Sequence, residues 1–329
     1  MNKCKKIKRI GIFLSVCLGT AVLGACGKTS ESSKGNTKIL FTINEMDTFR
    51  QTLADAAQKT ASEYGGSVDV VDAQGVIESQ VKQIQQAAAD GYDAILCGPI
   101  DVDTTRELKT SSKDIPIIFV NSCPDGKYLV KDEYIYVGSS ESVAGQYQAE
   151  YVLDQLASKD EINVALIEGP SGHSATAGRT KGVKKTFAAS GKKINYVFED
   201  HAQWSEDKAK EMFKVFLKTG KTADCVICNN DSMALGVVKA CKENGVDPGS
   251  MLILGVDATA DGCAAIKDGD MAFTVYQSGA GQGKAAVDAA VAIASGSSTK
   301  DIEGVTDDGK YVWVPFEKVD AGNVAEYMN

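Results

Sequence analysis

The spacing of the apolar runs is the feature that most constrains the fold of this chain. From Lys38 onward, short β-rich runs alternate with amphipathic segments roughly every 25 to 30 residues, a rhythm typical of βαβ units. Near-continuous apolar strands separated by helices predict parallel sheets that are covered on both faces. The predicted strands are residues 38–43, 68–73, 94–99, 115–121, 134–139, 162–169, 195–200, 225–230, 251–258 and 272–277.

Ten strands in two groups of five are more than one small sheet normally carries. We therefore predict an α/β fold with two doubly wound, Rossmann-like lobes. A closed eight-stranded barrel is the alternative, and it also carries its chemistry at strand ends, so function alone does not exclude it. The segment 311–316 (YVWVPF) follows a long helix-like stretch at 281–296 and could pass from one lobe to the other.

The N-terminus has the pattern of a secretory signal. Basic residues precede an apolar run at 10–23, which is shorter than the roughly 20 residues needed to span a bilayer. Leu23-Gly24-Ala25-Cys26 resembles the bacterial lipobox, so we predict a lipoprotein signal peptide at 1–25, a lipidated Cys26, and a flexible tether over 26–37. Ordinary cleavage, with Cys26 unmodified, is the alternative.

Charge and cysteine spacing exclude several classes of function. A net charge of −9 argues against a nucleic-acid partner and against anionic lipid surfaces, so any membrane contact should be through the lipid anchor alone. Cys225 and Cys228 have the spacing of a redox or zinc pair, but they lie in a predicted strand, where residues three apart point to opposite faces. Buried structural thiols are the simpler interpretation.

Polar and aromatic residues follow the predicted strands, where ligands of open parallel sheets bind. Asp101, Asn229 and Asp231 also stand at strand ends, and Asp231 is suited to be the N-cap of the helix that follows. Amides, carboxylates, one guanidinium, one imidazole and two aromatic rings suit a polyhydroxylated ligand. The candidate ligand-binding residues are Asp47, Phe49, Asn121, His173, Arg179, Trp204, Asn230, Asp257 and Gln277.

Catalysis is less well supported. The segment 169–173 lacks G-x-S-x-G spacing, and no phosphate-binding loop or dinucleotide fingerprint is present, so we predict no catalytic residue and no cofactor. Asp47 and Asp257 could form a glycosidase pair in principle, but amide-rich surroundings give neither carboxyl a clear reason for a raised pKa.

Several motifs together resemble the bacterial periplasmic sugar-binding proteins, most closely the galactose/glucose-binding type. They are VICNNDSMALGVVKA, LILGVDATADGCAAIKDGDMAFTVYQ, IPIIFVNSCP, YIYVGSSESVAGQ and EGPSGHSATAGRT. The resemblance implies two lobes joined by three crossings near Gly138, Gln277 and Val314. It divides the chain into an N-terminal lobe (38–138 plus 277–313) and a C-terminal lobe (139–276 plus 314–329).

The same resemblance implies a monosaccharide receptor, anchored on the extracytoplasmic face and monomeric, that delivers its ligand to the permease of an ABC importer. A sensory receptor for a signalling partner and a secreted carbohydrate-active enzyme are the alternatives. In the site, Phe49 and Trp204 would stack on the two sugar faces. Asn121, His173 and Arg179 would donate hydrogen bonds, and Asp47, Asn230, Asp257 and Gln277 would bind hydroxyl groups.

The chain departs from the galactose/glucose type at three places. Ala175 follows His173-Ser174 where that type carries a carboxylate, and Ser122-Cys123 follows Asn121 where it has Lys-Glu. The segment 156–166 is too short for a calcium loop, so we predict no metal. The first two departures argue for a ligand other than glucose or galactose.

Overall fold

The computed structural model describes residues 36–328, so the predicted signal peptide and Cys26 lie outside the described residues. Within that range are twelve strands: β1 (Lys38–Ile43), β2 (Ser67–Asp72), β3 (Ala94–Cys97), β4 (Ile117–Val120), β5 (Tyr134–Gly138), β6 (Glu161–Glu168), β7 (Lys193–His201), β8 (Cys225–Cys228), β9 (Leu252–Leu254), β10 (Phe273–Gln277), β11 (Tyr311–Trp313) and β12 (Phe316–Asp320). The first ten coincide with the predicted strands, apart from shifted ends.

Helices alternate with these strands along the chain. The α-helices of residues 36–328 are α1 (Thr48–Glu63), α2 (Ile77–Ala87), α3 (Thr105–Ser111), α4 (Glu141–Gln155), α5 (Ser174–Ala189), α6 (Glu206–Lys218), α7 (Asp231–Glu243), α8 (Ala260–Lys267) and α9 (Gly279–Ala294). None of the helices in this range is both long and apolar enough to cross a membrane.

The strands form two six-stranded sheets of equivalent order. The first runs β2-β1-β3-β4-β5-β11 and is parallel throughout. The second runs β7-β6-β8-β9-β10-β12 and is parallel except for β12, which pairs antiparallel with β10. This order is that of an open, doubly wound sheet. The two-lobed α/β prediction is confirmed, and the closed-barrel alternative is wrong.

Each sheet is covered by helices on both faces. In the N-terminal lobe, α1 and α9 pack on one face and α2 and α3 on the other, so Phe41 and Leu40 of β1 enter different cores. In the C-terminal lobe, α6, α7 and α8 cover one face, and α4 and α5 cover the other. Cys225 and Cys228 lie buried on opposite faces of this second sheet, which excludes a shared metal or disulfide between them.

The chain passes between the two sheets at three places. It leaves β5 of the first sheet for α4, and it leaves β10 of the second sheet for α9. The YVWVPF segment, which we expected could pass from one lobe to the other, does so: Tyr311–Trp313 pairs with β5, and Phe316 begins the pairing with β10. Val314 and Pro315 connect the two, and Pro315 has no N–H to donate to either sheet.

Glycines bring α4 and α5 into direct backbone contact. A Cβ added at Gly145 would lie 1.9 Å from the carbonyl oxygen of Arg179, and one at Gly182 would lie 2.1 Å from that of Ser142. Larger side chains would therefore push the helices apart. This close approach places Arg179 on α5 beside Glu141 in the first turn of α4.

Candidate functional site

One cleft at the carboxyl ends of the strands is lined by both lobes. All nine of the ligand-binding residues proposed from the sequence line it, together with three that sequence reasoning did not select as binding residues. The lining residues are Asp47, Phe49, Arg50, Asn121, Glu141, His173, Ala175, Arg179, Trp204, Asn230, Asp257 and Gln277.

Arg179 is the buried centre of the cleft. Its Nε donates to Glu141 Oε2 at 2.6 Å, and its two terminal nitrogens donate to Asn229 O at 2.6 Å and to Gln277 Oε1 at 3.1 Å. Asp257 Oδ1 lies 3.7 Å from the same guanidinium. Because Glu141 accepts a hydrogen bond from Arg179 directly, the guanidinium is held in place and its charge is compensated within the protein.

The backbone conformation and the pKa of Asp257 are both unusual. Its φ of 116° lies outside the region that most residues adopt, and its N–H donates to Val275 O at 2.8 Å. Burial raises the pKa of the Asp257 carboxyl to about 8, against the opposing effect of Arg179 and with smaller contributions from Asp231 and Glu141. Our expectation that its surroundings would not raise this pKa was wrong, because the effect of burial outweighs the attraction of Arg179.

His173 is the N-cap of α5. Its Nδ1 accepts a hydrogen bond from the N–H of Ala175 at 3.2 Å, so the ring proton is on Nε2, which lies 3.5 Å from Ser122 Oγ. Burial, followed by the charges of Arg179 and Arg50, lowers the pKa of His173 to about 4. The imidazole is therefore neutral at pH 7 and presents a single N–H donor.

Two aromatic side chains come from different lobes. Trp204 packs edge-to-face against His173 with ring centroids 5.4 Å apart, and the guanidinium of Arg179 lies 5.8 Å from its ring. Its φ of 61° and the glycine at position 169, where a Cβ would meet the indole at 2.3 Å, allow this placement. Phe49 of α1 is half-buried on the N-terminal side.

The N-terminal side of the cleft is organised by Arg50, which we did not select from the sequence. Asp47 is the N-cap of α1, accepts from the Arg50 N–H at 2.8 Å, and forms an ion pair with the Arg50 guanidinium. Arg50 Nε donates to Asn121 Oδ1 at 3.2 Å, and Asn121 has a left-handed φ of 63°. The one available signal was a charged residue three positions after Asp47, a binding candidate that stands at a predicted strand end.

The N-cap of α7 is Asn230, and our assignment of that role to Asp231 was wrong. Asn230 Oδ1 accepts from the Met233 N–H at 3.0 Å. Asp231 is instead buried behind the cleft, where Thr274 Oγ1 and the Thr259 N–H donate to its carboxylate at 2.6 and 2.7 Å. Burial raises the pKa of Asp231 to about 6, although these hydrogen bonds oppose the shift.

Two further polar residues at strand ends do not line the cleft. Asn229 is fully buried, and its Oδ1 accepts from the Gly169 N–H at 3.1 Å. Asp101 accepts from the N–H of Asp103 at 2.8 Å and caps a short 3-10 helix. Both have the structural roles that strand-end Asn and Asp commonly take.

The two segments that depart from the galactose/glucose pattern meet across the cleft. The Cys123 N–H of the N-terminal lobe donates to Ser174 Oγ of the C-terminal lobe at 3.1 Å, and Ser122 approaches His173 from the same side. The methyl group of Ala175 lies beside them in the lining. This end of the cleft therefore has hydroxyl and N–H groups where the resembling type has a carboxylate.

Comparisons with known proteins agree on one type of molecule. A family model described as periplasmic binding protein domain matches residues 39–298. A putative rhizopine-binding protein of Rhizobium meliloti is 30% identical over 86% of this chain and 89% of its own length. A D-galactose/methyl-galactoside binding periplasmic protein of Haemophilus influenzae is 28% identical over 92% of this chain and 96% of its own length.

A solved structure shows the same architecture. The ABC transporter solute binding protein of Bacillus halodurans C-125, with bound myo-inositol, superposes with a TM-score of 0.77 at 30% identity. The match covers 90% of this chain and 98% of that one, so it includes both lobes.

Proposed function

Because the chain belongs to the periplasmic binding protein family, we propose that it captures a neutral polyhydroxylated ring, a monosaccharide or cyclitol, and delivers it to an ABC importer. The observation that carries this proposal is the convergence of side chains from both lobes on one cleft. A ligand that contacts both lobes favours the closed arrangement over an open one. The size of this preference is the difference between the ligand's affinities for the two arrangements.

The charges of the cleft favour a neutral ligand. The two guanidinium groups are paired, Arg179 with Glu141 and Arg50 with Asp47. Asp257, with a pKa of about 8, is largely protonated at pH 7 before ligand binds. An anionic substituent would therefore meet no unpaired cation, and a cationic one would have to displace the proton of Asp257.

The shape and chemistry of the lining favour a hydroxylated ring. Phe49 and Trp204 are available to cover the apolar C–H faces of such a ring, and amides, carboxyls and a guanidinium surround its edge. By their printed names, two of the relatives named above bind a galactoside or myo-inositol, and the third is a putative rhizopine-binding protein. The first two support this ligand class for the present chain. Ala175 leaves one end of the cleft without a carboxylate and favours a compound other than glucose or galactose.

We further propose that the protein is lipid-anchored outside the cytoplasm through Cys26. The support is the sequence Leu23-Gly24-Ala25-Cys26 after a basic and apolar leader. Replacing Cys26 by Ala should release the protein from the membrane fraction into the soluble fraction of the host. Retention of the variant on the membrane would contradict lipidation at this residue.

Thermal unfolding with a panel of compounds tests the proposed function. The panel contains myo-inositol, D-galactose, D-ribose and xylitol as neutral members, with D-glucuronate and D-glucosamine as ionised ones. We expect saturable stabilisation by at least one neutral member, about 2.7 kcal/mol at a hundredfold excess over the dissociation constant. Stabilisation by an ionised member alone would contradict the neutral-ligand proposal, and no stabilisation by any member would contradict the ligand class.

A further inference from the structure

We propose that Asp231, which does not line the cleft, is a positioning residue: its carboxylate holds the segment that carries Asp257 in the conformation that binds the ligand. This inference rests on the proposed function and adds to it a residue behind the site. Asp231 is completely buried in the first turn of α7 and is not part of the cleft lining. Burying a carboxylate is unfavourable, so its hydrogen bonds must compensate for the lost water.

The segment that Asp231 contacts has an unfavourable backbone conformation. Asp257 and the next residue, Ala258, have φ values of 116° and 49°, which residues other than glycine rarely adopt. Such a conformation persists only where surrounding interactions hold it. Asp257 lines the cleft, so relaxation of this segment would move its carboxyl group away from the ligand.

Asp231 holds this segment on both sides of Asp257. Its backbone N–H donates to Val256 O at 2.8 Å, directly before Asp257. Its Oδ2 accepts from the Thr259 N–H at 2.7 Å and from the Thr259 hydroxyl at 3.2 Å, two residues after Asp257. Thr259 is also the N-cap of α8, so the end of the segment is fixed to the start of a helix.

The other oxygen of the carboxylate binds β10. Thr274 Oγ1 donates to Asp231 Oδ1 at 2.6 Å and accepts from the Ala258 N–H at 3.3 Å. Thr274 therefore links the carboxylate to the second residue with a positive φ. Within residues 36–328, every hydrogen bond to this carboxylate is donated to it, so the ionised form makes all of them.

Two glycines leave the space that the carboxylate fills. A Cβ added at Gly255 would lie 2.1 Å from Asp231 Oδ1, and one at Gly262 would lie 2.4 Å from Oδ2. Gly255 precedes the positive-φ segment, and Gly262 lies in the first turn of α8. The carboxylate is thus packed between the two ends of the segment that it holds.

The charge of Asp231 also acts on Asp257. Burial is the main cause that raises the pKa of Asp257 to about 8, Arg179 opposes it, and Asp231, Glu141 and Asp47 add to it. Removal of the charge of Asp231 therefore lowers the pKa of Asp257, which loss of a purely structural hydrogen bond would not do. The titratable and charged groups near Asp231 itself are Arg179, Asp257, Cys228 and Cys263.

Two substitutions separate the hydrogen bonds of Asp231 from its charge. Asp231→Asn keeps the shape of the side chain but removes the charge and replaces one acceptor oxygen by a donor. Thr274→Val removes one hydroxyl group and leaves the charge of Asp231 in place. Asp132→Asn is the matched control, because Asp132 lies outside the cleft and also accepts from the N–H and the hydroxyl of one threonine, Thr299, at 2.8 Å each.

The affinities of wild type and variants for myo-inositol, D-galactose and D-ribose are measured by calorimetry at pH 6 and pH 9, and chemical denaturation establishes that each variant is folded. For the probe that wild type binds, we expect Asp231→Asn to lose about tenfold in affinity at pH 9 and less at pH 6, since the pKa of Asp257 falls with the neighbouring charge. Thr274→Val should lose about threefold or more at pH 9. Asp132→Asn should be less stable than wild type but bind with unchanged affinity.

Wild-type affinity at pH 9 in folded Asp231→Asn and Thr274→Val would overturn the inference and leave the proposed function intact. If Asp231→Asn does not fold, Thr274→Val decides by the same criterion. An equal loss in Asp231→Asn at both pH values, or an equal loss in Asp132→Asn, is the result of a purely structural role and would also overturn the inference. Wild type that binds none of the probes would overturn both the inference and the proposed function.

Discussion

At the scale of single residues, we expect Asp257 to couple ligand binding to pH. Ligand hydroxyls that donate to its carboxylate favour the ionised form, and the pKa in the empty cleft is about 8. Binding must therefore release a proton below that pH, so we expect affinity to rise from pH 6 to pH 9 and then to level off. Calorimetric titration across this range measures the effect.

The Asp257→Asn variant is the control for that pH dependence. It should bind more weakly at pH 9 and show a flatter profile, since the titrating group is gone. Asp231 is also buried, but its pKa of about 6 places its titration lower in the range. If the variant and the wild type show parallel profiles, another group is responsible for the coupling.

Trp204 provides the second prediction at the residue scale. If its indole covers one face of the ligand, Trp204→Ala should weaken binding by about 2 to 4 kcal/mol, whereas Trp204→Phe should keep most of the affinity. Calorimetry of both variants with the ligand identified by the thermal panel gives the comparison. Wild-type affinity in Trp204→Ala would show that the indole only supports His173, against which it packs.

Part of the site could be proposed from the sequence, because polar residues that directly follow a predicted strand can be identified from the sequence alone. Arg50 and Glu141 were missed as binding residues since charges at the start of a helix are usually solvated. Their place in the cleft depends on contacts with Asn121 and Arg179, which are 71 and 38 residues away along the chain. The raised pKa of Asp257 likewise comes from burial by distant segments.

At the scale of elements, the α4–α5 contact should control both stability and the site. A methyl group at Gly145 would collide with the backbone oxygen of Arg179, so Gly145→Ala should lower the free energy of unfolding by about 1 to 3 kcal/mol and weaken ligand binding. Chemical denaturation and calorimetry measure the two effects.

Gly249→Ala is the matched control for this substitution. Its added Cβ would meet nothing closer than 3.4 Å, on an exposed 3-10 helix, so we expect a change within about 0.5 kcal/mol. Equal stability of Gly145→Ala and Gly249→Ala would mean that α4 and α5 can separate without cost.

The spacing of the apolar runs predicted the first ten strands. It could not predict the residue at which each strand ends, because that depends on backbone conformation. Residues 251–258 read as one apolar strand, yet β9 ends at Leu254. Isolated pairing with β10 continues to Asp257, and the positive φ values of Asp257 and Ala258, 116° and 49°, then take the chain out of the extended conformation. Strand β12 was also missed, because Phe316–Asp320 is short, has only two apolar residues and pairs only with β10, some forty residues earlier.

At the scale of the whole molecule, the lobes are joined by three chain crossings and by contacts across the cleft. Near the crossings, Gln282 Nε2 donates to Ser139 Oγ at 3.1 Å, which ties α9 to the segment between β5 and α4. This hydrogen bond and the one from the Cys123 N–H to Ser174 Oγ are both present in this arrangement of the lobes. We propose that ligand contacts from both sides add to these bonds and favour closure.

The stoichiometry of ligand binding tests the central claim, capture of one neutral ring in one cleft, most directly. Calorimetric titration of the purified protein with myo-inositol, D-galactose, D-ribose and xylitol should give, for at least one of them, a single site per chain with a dissociation constant in the micromolar range. The hydrogen bonds available in the cleft are sufficient for that affinity after the costs of binding. The absence of a saturable heat for all four compounds, or more than one site per chain, would contradict the account.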